Sequence, residues 1–254
     1  MLFRKATASI LLVAATAACT VTVAPPAPVS TGPTPTSPSQ TTSQAAAPRP
    51  TPVPVASSRS PAAARLAAVA ARVEPVAEQE CFRRTNGAKC NLTILIDEDP
   101  RKQANAFQTL DRAGNPIIVF NVALVQAARN GDELAFVLGH EAAHHILGHI
   151  PQTQQTAVLG AVVAGALAQA GGFNGDGVAL AQDLGATVGS RAFSKDYELQ
   201  ADQLGTVITA RSGFDPLRGA EFFARIPDPG DRFLGSHPPN AQRIEVVRQT
   251  AAGL

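Results

Sequence analysis

Five consecutive residues constrain this chain more than any others: His140-Glu141-Ala142-Ala143-His144. On an α-helix each residue turns by about 100°, so His140 and His144 stand about 40° apart on one face, one turn apart in height. That spacing lets two imidazoles grip one metal ion. Glu141 then lies about 60° to the side of His144, able to reach a water in an open coordination position without being a ligand. A zinc ion lowers the pKa of such a water, and the carboxylate takes the proton as the water attacks a carbonyl. The same five residues also occur on amphipathic helices that bind nothing. A metal-binding fold must place a helix here and bring a third protein ligand to it.

The surroundings supply the helix. Asn130 and Glu133 form a capping pattern that opens "DELAFVLGHEAAHHILGH", with Gly148 and Pro151 marking its end, and Leu134, Val137, Leu138 and Ile146 can pack it into a core. The sequence after His144 does not supply a third histidine at HExxHxxGxxH spacing. Glu198 is the better candidate: in "YELQAD" Glu198 and Asp202 share one helix face four residues apart, although such a pair by itself reads as a solvated helix face. Glu198 would bind zinc, and Asp202 would accept a hydrogen bond from a ligand histidine and fix its tautomer. His149 falls about 180° around a continuous helix from His140 and reads as structural, as does His145.

The front of the chain is of a different kind. Residues 1–18 read as an export signal, with Arg4 and Lys5 before a short apolar stretch. Thr16-Ala17-Ala18-Cys19 resembles a lipobox, which would leave an acylated Cys19; ordinary cleavage near Ala17 would leave a soluble protein. Residues 19–61 are dominated by Pro, Thr, Ser, Ala and Val without helical or strand period, and are expected to form a disordered tether. The folded domain is expected over 62–254.

Ser60-Pro61 looks like a helix start, with the helix ending or kinking near Pro75. Residues 91–99 and 116–121 have strand character, with turn-rich residues 111–115 between them, which predicts a small antiparallel sheet. Residues 156–189 are Ala-, Gly- and Val-rich, too short in their apolar run for a membrane span, and read as helices packed over the active-site side. Cys81 and Cys90 sit close enough for a disulfide in an oxidising compartment, or are two unrelated thiols. With 21 basic and 20 acidic residues the formal net charge is +1, so no nucleic-acid partner is expected.

Four blocks in order then carry a resemblance: "NAFQTL" (105–110), the zinc-helix block "ELAFVLGHEAAHHILGH", "FSKDYELQADQLG", and "GSHPPNAQRIEVV". Over about residues 66–254 the chain resembles the HtpX-like and CAAX-prenyl-protease-type gluzincin peptidases, peptidase family M48. The resemblance implies an α+β, mainly helical, zincin-like domain with the small sheet packed on the HExxH helix. It implies one Zn2+ per chain on His140, His144 and Glu198, with Glu141 as general base and acid. Asp202 would sit behind a ligand, His237 would stabilise the oxyanion, and Arg243 would stand beside it. With no long membrane helices, the chain is most like the small periplasmic lipoprotein-type members. It is then expected in the bacterial envelope, lipid-anchored, with the outer membrane favoured, or else soluble in the periplasm. Its partners would be unfolded or misassembled envelope proteins, with substrate pairing to an edge strand, 116–121 being the candidate. A latent or non-cleaving metal-stabilised binding or chaperone module is the alternative.

Overall fold

The computed structural model describes residues 51–191, 194–225 and 240–254. The folded unit starts earlier than composition suggests. Strand β1 (Val53–Pro54) pairs antiparallel with strand β2 (Thr93–Asp97). Proline is tolerated there because an edge strand leaves its missing N–H unneeded. The last residues assigned to a tether thus belong to the domain.

Helix α1 (Pro61–Arg84) is capped by Ser60, whose side chain accepts from the Ala63 N–H. It runs straight through Pro75. Its buried positions Leu66, Val69, Ala70, Val73, Ala77 and Cys81 follow the helical repeat on both sides of the proline, while Pro75 itself is exposed. The expected end is therefore overridden, because the packed face continues on both sides of the proline. The structure joins Cys81 at the end of α1 to Cys90, with Cα atoms 5.6 Å apart.

The sheet contains two further strands, β3 (Ala106–Leu110) and β4 (Pro116–Asn121), in the order β1-β2-β4-β3. It is mixed, not antiparallel. β2 and β4 run parallel, and only the outer pairs are antiparallel. The turn at 111–115 joins β3 to β4, not β2 to β4. Asp111 builds it by accepting from the N–H groups of Ala113 and Asn115, each at 2.8 Å. β4 is buried along nearly its whole length, as a central strand should be. It cannot receive a substrate strand; β3 is the edge on that side.

Short helix α2 (Val122–Ala127) leads to α3 (Gly131–Ile146), which carries the His-Glu motif. Asn130 caps α3 by accepting from the Glu133 N–H at 2.9 Å. Glu133 returns a bond to the Arg129 N–H and pairs with Arg225. Phe136 and Leu138 of α3, Leu66 of α1, Ile118 and Phe120 of β4 and Ile208 behind them are fully buried, so α3 lies at the centre of the core. α3 ends sooner than the sequence suggests. Gly148 adopts a left-handed conformation at φ 68°, which breaks the helix, and Pro151 falls in the first turn of the next helix, α4 (His149–Ala170).

α4 and α5 (Gly175–Arg191) form a hairpin that packs chiefly on itself. Its contact face is made of small residues. A Cβ on Gly160 would meet the Gly185 carbonyl oxygen at 2.1 Å, and one on Gly189 would meet that of Thr156 at 2.1 Å. The large side chains consequently point outward, with Val162, Leu167 and Leu180 about 60–70% exposed. Only the hairpin's root reaches the active-site side, unlike the covering layer expected from the sequence. No helix among the described residues is long and apolar enough to cross a membrane. Helices α6 (Ser194–Arg211), α7 (Pro216–Ala220) and α8 (Asn240–Ala251) complete the unit.

Candidate metal centre

α3 and α6 cross at two glycines. A Cβ on Gly205 would stand 2.9 Å from the His140 backbone N, and one on Gly139 would stand 3.0 Å from the Gly205 carbonyl. With no side chain between the backbones, the two helices come close enough for groups one or two turns away to meet. Glu198, about two turns before Gly205 on α6, is thereby brought to His140 and His144 on α3.

His140 Nε2 and His144 Nε2 are 3.0 Å apart. Glu198 Oε2 lies 3.4 Å from the first and Oε1 3.3 Å from the second. Zinc bonded to nitrogen and oxygen at about 2.0–2.1 Å in a tetrahedron holds its ligand atoms about 3.3 Å apart. The separations fit that ion, and a donor set of two imidazoles and one carboxylate suits it. His140 and Glu198 are largely buried. Glu141 lines the same cleft of about 310 Å³, together with Ala106, Phe107 and Gln108 of edge strand β3.

Behind the ligands lies a charged support. His140 Nδ1 is 2.9 Å from Asp202 Oδ1, the geometry for donation to that carboxylate. Asp202 is fully buried and clamped by Arg243, whose Nε and Nη2 each donate to it at 2.7 Å. The Arg243 guanidinium stacks 3.7 Å over the Phe223 ring. Arg243 is thus turned chiefly toward Asp202, with its Nη2 also 3.6 Å from Glu198 Oε2. Burial alone would lower the pKa of His140, but its bonds to Asp202 and Glu198 outweigh burial and raise it to about 10. The carboxylates of Asp202 and Glu198 thus favour the charged form of His140.

One residue that sequence reasoning set aside also meets the site. His149 is 3% exposed, and its Nδ1 lies 2.8 Å from His144 Nδ1. Burial, then the neighbouring His144, pushes its pKa down to about 4. Tyr197 stacks on its ring at 4.5 Å. The reading of His149 as remote assumed one continuous helix; the only signal against that was Gly148. His145, by contrast, faces the Lys89 carbonyl at 2.6 Å and ties α3 to the Cys90 loop. His237 and Cys19 lie outside the described residues.

A helix-borne pair of histidines, a carboxylate from a second helix and a free glutamate, all set against a small mixed sheet, define a zincin-like metallopeptidase domain. The chain belongs to peptidase family M48, whose sequence model matches residues 64–251. It is 30% identical over 173 residues to a beta-barrel assembly-enhancing protease of Yersinia pestis, covering 62% of this chain and 34% of that protein. Against Metalloprotease LoiP of Escherichia coli (strain K12) it is 28% identical over 171 residues, covering 64% and 63%. The mitochondrial metalloendopeptidase OMA1 of Saccharomyces cerevisiae (strain ATCC 204508 / S288c) matches at 25% over 162 residues, covering 60% and 45%. The chain thus spans about a third of the length of the first of these relatives.

Proposed function

We propose that this protein is a zinc endopeptidase that cuts exposed, unfolded segments of cell-envelope proteins. The observation that carries the reading is the convergence of His140, His144 and Glu198 beside Glu141, in a cleft walled by edge strand β3. The three ligands would hold one zinc per chain. Bound there, zinc supplies an activated water and a Lewis acid for the substrate carbonyl. Glu141 takes the proton from the attacking water and passes it to the leaving nitrogen. Asp202, held by Arg243, keeps the His140 proton on Nδ1 so that Nε2 faces the cleft. His237, from the family resemblance, would stabilise the developing oxyanion.

β3 gives the substrate its place. Its inner side is paired to β4, and among the described residues nothing pairs with its outer side. An extended peptide can add there as a further strand, its backbone aligned past Glu141. Strand addition selects segments that are not already folded. The similarity to a beta-barrel assembly-enhancing protease supports an envelope setting. Export through residues 1–18 and acylation at Cys19 would anchor the domain to a membrane, with the outer membrane favoured.

Casein cleavage by the wild type beside Glu141→Gln, both shown to carry zinc, tests the reading. Cleavage by the wild type and a loss of at least about 100-fold in the variant are expected. Undiminished cleavage in the variant would remove Glu141 from the mechanism. Zinc bound without cleavage by either protein would favour the latent or non-cleaving module.

A further inference from the structure

His140 and His144 are both ligand candidates, but they are supported differently. His140 leans on the buried carboxylate of Asp202. Among the described residues no carboxylate stands at the second nitrogen of His144; His149 does. We infer that His149 is the positioning residue for His144: it accepts the Nδ1–H of His144 on its own Nδ1, and so fixes the tautomer and ring angle that aim His144 Nε2 at the metal position. This rests on the zinc reading above.

The tautomers follow from chemistry. A neutral imidazole that offers Nε2 to a metal must carry its proton on Nδ1, and that proton needs an acceptor. At 2.8 Å the partner atom is His149 Nδ1. To accept there, His149 must carry its own proton on Nε2. That nitrogen faces Gln200 Oε1 at 3.3 Å, an acceptor for it. The direction is consistent along the whole path: His144 donates to His149, and His149 donates to Gln200.

The fold holds His149 in that attitude. The left-handed residue Gly148 ends α3, so His149 opens α4 instead of continuing around α3. On an unbroken helix the two rings would diverge by about 140°. With the break, the ring centroids are 5.0 Å apart. The Tyr197 ring stacks nearly parallel to His149, at 15°. Tyr197 and Gln200 flank Glu198 on α6, so the helix that carries the third ligand also fixes the support of the second. The choice of a neutral support has a consequence. Glu141, Glu198 and Asp202 already bring three carboxylates to the site against the single guanidinium of Arg243, and a further carboxylate behind His144 would make any bound cation a weaker Lewis acid.

The test uses zinc affinity, measured by competition with a chromogenic chelator, on the full protein and its variants. Wild type must bind zinc; if it does not, the functional reading itself fails before this inference is reached. His149→Leu keeps bulk but leaves the His144 proton without an acceptor, and is expected to bind zinc 10- to 100-fold more weakly. His149→Asn can place an oxygen near the former Nδ1 and should recover most of that loss. Melting of the metal-free variants reports whether each folds. Affinity of a folded His149→Leu within threefold of wild type would overturn the inference. Nitrogen-15 histidine spectra of zinc-loaded wild type give a measure independent of any variant. His149 should carry its proton on Nε2 and His144 on Nδ1; a proton on His149 Nδ1 would overturn the inference equally.

Discussion

Asp202 shows how much a single side chain can decide at this site. It is fully buried, accepts from His140 and receives both arms of Arg243. Removing its charge leaves buried Arg243 with only the more distant Glu198 carboxylate, 3.6 Å away, which is costly, and weakens the orientation of His140. Asp202→Asn is therefore expected to lower zinc affinity by about 10- to 100-fold and to lower the melting temperature of the metal-free protein, read by chelator competition and by calorimetry. Zinc affinity equal to wild type would show that His140 needs no charged partner. His140 and His144 could be read from helical spacing, whereas Glu198 and Asp202, four apart on a helix, took their roles in the sequence from the family resemblance. His149 was not legible there. Its role depends on a backbone angle at Gly148, and a glycine in a string does not announce whether it sits in a helix or ends one.

Among the elements, the α3–α6 crossing sets the geometry of the centre. Gly205 presses against the backbone at His140, and a methyl group there would sit 2.9 Å from a backbone nitrogen that cannot move aside cheaply. Gly205→Ala is expected to cost about 1–3 kcal/mol of stability and to weaken zinc binding, because Glu198 would be carried outward with α6. Denaturant titration and chelator competition measure the two effects; a variant that loses stability but keeps full zinc affinity would show that the helices can part without moving Glu198. The strands were harder to read than the helices. "PIIVFN" announces a strand, but its run of buried residues is compatible with several neighbours. Nothing local says that β2 lies parallel beside it, or that β3 occupies the edge that walls the cleft. Pro75 misled for the opposite reason: a local rule gave way to a buried face that continues on both sides of it.

For the whole molecule, the Cys81–Cys90 bond closes a short loop between the end of α1 and strand β2, the two cysteines standing nine positions apart in sequence. Constraint of the unfolded chain by a loop of this size is worth about 2–3 kcal/mol. Replacing both cysteines by alanine is expected to lower the unfolding free energy by about that amount, measured by denaturant titration, while zinc affinity stays unchanged because the bond lies away from His140 and Glu198. A matching loss of zinc affinity would show that the loop end and the site are coupled, as the contact of His145 with the Lys89 carbonyl would allow.

The sequence by itself determined the chemistry that could be written as spacing. It placed two histidines and a glutamate on α3 and a glutamate and an aspartate on α6, because a helix repeats every 3.6 residues and ligands four apart must share a face. Tertiary structure alone decided what depends on partners distant in the chain: the parallel pairing of β2 with β4, the exposure of β3 as the free edge, the outward-facing apolar surface of the α4–α5 hairpin, and the return of His149 to His144. Those features arise from close approaches between segments, at Gly139 with Gly205 and at Gly160 with Gly185, and from the turn at Gly148. A glycine's neighbours in space, unlike a histidine's neighbours on a helix, are not encoded by its neighbours in sequence.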